Sequence, residues 1–351
     1  YTFNRQHQDR MKNIIINILK ITIPLLLGVY VGWYFWDQFS ESERNQFYGI
    51  FNRADYFILA LSLLVAFLSH LARAKRWLYA LKPMGYQPSL WRSYHAIMVG
   101  YIMNIIFPRL GEASRAGVLL KTDSIPFQKS FGSIVSERIL DMLCLVLVGG
   151  TALLINMDQI SDLLDMAKNM SPASGSSESV SVGKWISYVI LIMILITIIG
   201  VVFLYFYKPS FKEKVKSFIH DFLEGIKSLF KMKEVFQYIG LTFSIWICYV
   251  IMFWIPFFSL PEYSSLGADA VLSTFILGTI GFIVVQGGVG TYPVMVGIGI
   301  TYFLNKTELI EHGPMAEHIG FGTLIWATQT LLMVVLGLVS LVQANRLKPQ
   351  Q

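Results

Sequence analysis

Residues 104–115 read Asn104-Ile-Ile-Phe-Pro108-Arg109-Leu-Gly111-Glu112-Ala-Ser-Arg115, with three charges set directly behind an apolar run and a helix-breaking proline. In a water-soluble chain this would be an ordinary polar turn. Near the middle of a bilayer each ionised group costs about 2.5–3.5 kcal/mol on insertion scales, so it faces a partner or a wet cavity and marks a functional path. How this stretch is read decides how the chain folds.

Composition places it in a membrane. Hydrophobic residues make up 54% of the chain and charged residues 14%, against about 45–50% and about 25% in soluble domains. Apolar runs of about 20 residues, the length that crosses a bilayer, cover Ile14–Trp36, Tyr56–Tyr79, Ile139–Ile155, Trp185–Tyr207, Val235–Phe258 and Phe321–Val342. Six full spans are therefore expected. The first has no small-residue cleavage site behind it and reads as a retained anchor, with residues 1–13 an N-terminal extension. Cys144 and Cys248 fall inside spans and act there as small apolar residues, neither a disulfide nor a metal site. The formal charge of +6 comes from basic residues in short loops beside spans, where they set orientation; no nucleic acid partner is implied.

Arg5, Arg10, Lys12 and Lys20 precede or open the first span, whereas Asp37, Glu41, Glu43 and Asp55 outnumber Arg44 and Arg53 beyond it. The positive-inside rule then puts the N-terminus in the cytoplasm. Span two returns to Arg73, Lys75, Arg76, Lys82 and Arg92, and the stretch 115–138 is again basic, with Lys121 and Lys129. The apolar segment Tyr94–Phe107 lies between two stretches on one side and is shorter than a span. A re-entrant hairpin at about 93–118, turning at Pro108 to Gly111, satisfies both facts; non-helical backbone at that depth survives only in protein or beside water.

The pattern recurs near the C-terminus. Val271–Val285 and Tyr292–Leu304 are short apolar segments joined by Gln286-Gly287-Gly288-Val289-Gly290 and flanked by Glu262, Asp269, Glu308, Glu311 and Glu317. This predicts a second hairpin, at about 268–304, entering from outside, its glycines allowing the tight turn. The expected fold is an all-α polytopic protein of six full spans and two re-entrant helical hairpins in an inverted repeat. Its halves are 14–157 and 185–342, joined by an external Ser-rich loop (158–184) and followed by a cytoplasmic tail (343–351), in the cell (inner) membrane. The alternative is eight spans, two of them short. Paired interrupted segments point to a substrate site near the midplane. Between Phe211 and Lys233 apolar residues recur at helical spacing among lysines, which fits either an interfacial helix favouring anionic headgroups or a linker obeying the charge rule.

Four clusters are expected to meet at the first hairpin: Arg73, Arg76 and Trp77; Asn104, Arg109, Glu112 and Arg115; Glu137, Arg138 and Asp141; and the Gly287 loop. Glu112 and Arg115, like Arg138 and Asp141, stand three apart, so each acid can be matched along its own helix. The arginines left in excess suit a phosphate, which guanidinium groups clasp through two hydrogen bonds. The competing reading is that these residues only pair with one another; for Arg73 and Arg76 charge bias alone competes, and Trp77 reads as an interface anchor.

At these residues the chain resembles the flippase-like membrane domain found in lysylphosphatidylglycerol synthases and in many stand-alone bacterial and archaeal membrane proteins. The carriers are Arg73-x-x-Arg76-Trp77, Asn104 through Pro108-Arg109-x-Gly111-Glu112-x-x-Arg115, Glu137-Arg138-x-x-Asp141 and Gly287-Gly288-Val289-Gly290, and the resemblance runs from about Ile14 to Val342. It implies movement between leaflets of a lipid such as an aminoacylated phospholipid or an isoprenoid-linked saccharide carrier, with no chemistry and no cofactor. The headgroup would sit among Arg73, Arg76, Asn104, Arg109, Glu112, Arg115, Glu137, Arg138 and Asp141, with Pro108, Gly111, Gln286, Gly287, Gly288 and Gly290 shaping the two loops. One departure stands out: Val284 and Gln286 replace the prolines the family often carries there, and Pro293 stands where an acid is common. A proton-coupling role for the external hairpin is thereby put in doubt.

The expected partners are membrane lipids with anionic headgroups, a separate lipid-modifying enzyme if the chain only holds its lipid, and a second copy of the chain as the general default. An enzyme is the weakest reading. The six histidines form no His-Glu-x-x-His pair, and no nucleophile elbow or Walker loop is present.

Overall fold

The computed structural model describes residues 22, 25–107, 110–155, 213, 232–305 and 315–347. Outside them fall Pro108 and Arg109, the loop 158–184, the expected span 185–207 and nearly all of the expected interfacial helix. Every regular element described is a helix. In chain order these are α1 (25–38), α2 (Glu41–Arg53), α3 (Tyr56–Leu81), α4 (Leu90–Ile106), α5 (Gly111–Asp123), α6 (Phe127–Ile155), α7 (Val235–Trp254), α8 (Ala268–Val284), α9 (Thr291–Leu304) and α10 (Ala316–Arg346).

Four of these, α3, α6, α7 and α10, are long and apolar enough to cross a membrane. Their outward faces suit lipid, with Phe57, Val146, Leu154 and Phe236 all at least 70% exposed. Two boundaries differ from the sequence reading. Helix α6 begins at Phe127 and not at Ile139, and α10 at Ala316 and not at Phe321, because hydropathy marks the apolar part of a helix while backbone bonding carries it through polar turns. Glu137 and Arg138, expected just ahead of the span, are therefore on it. The acidic stretch after α1 is also no simple loop. Ser40 accepts from the backbone N–H of Glu43 at 3.3 Å and Glu43 accepts from that of Ser40 at 2.7 Å, a capping box that starts α2.

Helices α4 and α5 form an antiparallel pair. With 17 residues α4 is about 26 Å long, short of the roughly 30 Å hydrocarbon core. The start of α5 needs partners for its free N–H groups, and Asn104 provides one, its Oδ1 accepting from Gly111 N at 2.7 Å. A Cβ on Gly111 would run into Gly100 O and the Asn104 side chain, so only glycine lets α5 begin this close to α4. At the far end Arg92 donates to Thr122 O and faces Asp123 at 3.7 Å.

Helices α8 and α9 pair similarly, joined through Gly287, Gly288 and Gly290, all with positive φ. The Trp326 indole on α10 donates to Gly287 O at 2.6 Å, and Thr291 donates to Gly281 O at 2.7 Å. Helix α1 lies over this loop, Gly28 and Gly32 meeting Val285, Val289 and Gly290 at backbone distance.

Around a central contact between α3 and α7, α4 packs on α10 and α8 on α6. Ser62 of α3 donates to Met252 O at 2.7 Å and accepts from Gln329 of α10 at 2.9 Å. One core gathers Phe253, Phe257, Tyr263, Ile300 and Phe321; another gathers Trp77, Leu81, Ile97, Met98, Leu119 and Ile134. The charged face of α3 lies beside this second core.

Candidate functional site

Helical spacing brings the charged residues together. Arg73, Arg76 and Trp77 lie at i, i+3 and i+4 on α3; Ile97, Gly100, Tyr101 and Asn104 follow the same rule on α4, and on α6 Asp141 stands four residues after Glu137 and three after Arg138. With Gly111, Glu112 and Arg115 of α5 they converge, and the α4–α5 pair and its neighbours frame a small, half-open cavity. Arg73, Ile97, Gly100, Tyr101, Asn104, Gly111, Glu112, Arg115 and Arg138 line it.

The pairing runs between helices. Arg76, wholly buried, grips Asp141 with both terminal nitrogens, at 2.7 and 3.2 Å, and donates to Thr242 of α7 at 3.2 Å. Its Nε faces Glu137 Oε1 at 3.8 Å. Arg73 donates to the Tyr249 hydroxyl at 2.5 Å and stands 3.5 Å from Asp141. Arg115 reaches Glu137 at 2.7 Å, and Arg138 reaches Glu112 at 2.8 Å on the half-exposed rim. The expected i, i+3 matches of Glu112 with Arg115 and of Arg138 with Asp141 are thus replaced by pairs that tie α5 to α6 and α3 to α6. Neighbouring helices offer geometry that two side chains on one cylinder do not.

Trp77 is no interface anchor. It is fully buried, its indole donates to Ser133 Oγ at 2.8 Å, and the Arg115 guanidinium lies 3.7 Å above its ring centre, within cation–π range. Asn104 lines the cavity, but its carbonyl oxygen closes the hairpin. Nor does the glycine loop join the lining of the cavity, being held by α1 and Trp326. Arg109 and Pro108 lie outside the described residues.

Among the described members of the cluster, Arg73, Arg76, Arg115 and Arg138 face Glu112, Glu137 and Asp141, leaving one positive charge in excess. Sequence reasoning missed Tyr101, Thr242 and Tyr249. Tyr101 is three residues before Asn104, a signal in plain view; Thr242 and Tyr249 sit in a span whose apolar character hides two polar side chains. His70 has its ring 5.1 Å from that of Tyr101, and His95 Nδ1 lies 3.0 Å from Ser340 Oγ. Among the described residues no three His, Cys, Asp or Glu side chains stand close enough to hold a metal ion. What the site offers is positive hydrogen-bond donors in a pocket sheltered by apolar helices, which suits an anion.

The chain is 22% identical over 224 residues to "Glycosyltransferase AglD" of Haloferax volcanii, covering 58% of this chain and 36% of that one. It is 29% identical over 133 residues to "UPF0104 membrane protein MJ1595" of Methanocaldococcus jannaschii, covering 37% and 36%. The matched stretch thus spans about a third of each relative's length. No solved structure matches. Residues 21–337 match the family described as the lysylphosphatidylglycerol synthase TM region. With most of its length and its charged cavity inside that match, this chain belongs to the lysylphosphatidylglycerol synthase TM-region family.

Proposed function

We propose that this chain moves an anionic phospholipid or a polyprenyl-phosphate-linked lipid between leaflets, as a flippase or scramblase, without covalent chemistry. The observation that carries this is the cavity whose lining includes Arg73, Arg115 and Arg138, inside a helical body with an apolar exterior. A headgroup enters the charged pocket while its acyl chains stay in lipid. Buried guanidinium groups are costly to insert and are kept where they serve a path.

In this reading α4–α5 and α8–α9 are re-entrant hairpins of an inverted repeat, the first entering from the cytoplasm and the second from outside, with both termini cytoplasmic. Helices α3 to α6 have 26, 17, 13 and 29 residues and α7 to α10 have 20, 17, 14 and 31. Exchanging α3 with α7, α4 with α8, α5 with α9 and α6 with α10 maps the main packing onto itself, since α4 on α10 becomes α8 on α6. That relation supports alternating access by rocking of the halves.

The test is leaflet exchange of labelled phospholipids and polyprenyl phosphates in liposomes carrying the purified chain, beside Arg138→Gln. That substitution alters the exposed rim and leaves the buried pairs intact. Exchange is expected from the parent and at least a tenfold slower rate from the variant. A folded, reconstituted parent that moves none of these lipids overturns the proposal. The likeness to a glycosyltransferase favours one second reading, in which the chain holds a lipid for a lipid-modifying enzyme; tight lipid binding with no exchange is its signature.

A further inference from the structure

We propose that Arg115 is the seat for a single phosphate group, which takes both hydrogen bonds of the guanidinium edge formed by Nε and Nη2. This deepens the reading above, on which it rests, by naming the anchor and the chemistry that fills it.

The geometry singles out this arginine. Its Nη1 is used, donating to Glu137 at 2.7 Å. Its flat face is used, lying 3.7 Å over the Trp77 ring, and that ring is itself fixed by Ser133, whose hydroxyl donates on to Ser130 O at 2.7 Å. Its Nε and Nη2 are buried and have no hydrogen-bond partner, although the residue is only 5% exposed and lines the cavity. These two nitrogens lie side by side on one edge of the guanidinium, the fork that matches two oxygens of a phosphate. Buried donors are rarely left empty in a folded protein, and two on one rigid fork call for an oxyanion. The other arginines of the cluster differ. Arg76 has both terminal nitrogens filled by Asp141 and Thr242, and its Nε, without a hydrogen bond, faces Glu137 at 3.8 Å, so it has no open pair of donors on one edge. Arg73 has its Nη2 on Tyr249 and offers one open buried nitrogen, Nε, so it serves as the second, weaker donor. Arg138 is bound to Glu112 on the half-exposed rim. Among the described members of the cluster, the excess of one positive charge suits a singly charged phosphodiester.

The test is equilibrium binding to the full chain in detergent, using dioctanoyl phosphatidylglycerol, dioctanoylglycerol without phosphate, and inorganic phosphate. Arg115→Lys keeps the charge beside Glu137 and loses the fork. It is expected to weaken phosphatidylglycerol binding at least tenfold, while Arg53→Lys, remote from the cavity, leaves it unchanged. Should Arg115→Lys fail to fold, the double variant Arg115→Met/Glu137→Gln removes both charges together, so neither is orphaned, and loss of binding is again expected. Dioctanoylglycerol binding as well as phosphatidylglycerol, or undiminished phosphatidylglycerol binding by either folded variant, overturns the proposal. Inorganic phosphate that displaces phosphatidylglycerol at equal concentration assigns the seat to free phosphate and overturns the lipid headgroup as its occupant. Phosphatidylglycerol binding that depends on Arg115, without leaflet exchange, leaves the seat standing and overturns only the transport reading.

Discussion

Asp141→Leu, alone and with Arg76→Met, is the sharpest perturbation of the buried cluster. In the parent Asp141 receives both terminal nitrogens of Arg76 and stands 3.5 Å from Arg73. Removing it leaves Arg76, with no exposed surface, holding one hydroxyl and a carboxylate 3.8 Å away. Breaking a buried pair from one side costs about 3–5 kcal/mol, a factor of about 150 to 4,000 in the unfolding equilibrium. Replacing both partners by apolar residues of similar size is often neutral or stabilising, and here Arg73 keeps its bond to Tyr249. The double variant is therefore expected to recover at least half of the loss. Reversible unfolding in mixed micelles, followed by circular dichroism against denaturing detergent, measures both, and the double-mutant cycle isolates the coupling. If Asp141→Leu lies within about 1 kcal/mol of the parent, or the double variant is no better than the single, the cluster is not the tightly paired, water-poor site argued above.

Three further predictions use the same assay. Gly111→Ala puts a methyl group against Gly100 O and Asn104 and is expected to cost about 1–3 kcal/mol, whereas Gly117→Ala, with nothing within 4 Å of the new carbon, is expected to stabilise by up to about 1 kcal/mol through helix propensity; the reverse order would refute the close α4–α5 approach. Trp326→Phe removes the bond to Gly287 O, is expected to cost about 0.5–1.5 kcal/mol, and should speed hydrogen exchange in residues 286–290, with unchanged exchange counting against the loop being pinned there. Arg53→Ala loses ion pairs to Glu262 and Glu317 at a half-exposed position and is expected to move stability by less than about 1 kcal/mol, a larger loss pointing to a structural role for that network.

Much of the site is legible in the chain because period carries it: Arg73 and Arg76, or Glu137 and Asp141, lie on one helix face by spacing alone. The i, i+3 rule failed for the partners because it weighs only neighbours on one cylinder, while the strongest acceptor for Arg76 stands on another helix. Trp77 was misread for the same reason. A tryptophan beside two arginines at the end of an apolar run looks like an interface anchor until α5 sets Arg115 over its ring.

Taken by itself, the sequence determines a helical membrane protein with two pairs of short helices, because hydrophobic length and charge at the ends of spans are local quantities summed along the chain. It also determines which glycines must turn and which charges are out of place. Which acid meets which base, the capping of α5 by Asn104, and the open edge of Arg115 were decided only by tertiary structure. Those depend on distances of a few ångströms between helices far apart in the chain, and the strength of an ion pair or a hydrogen bond falls away over just that range.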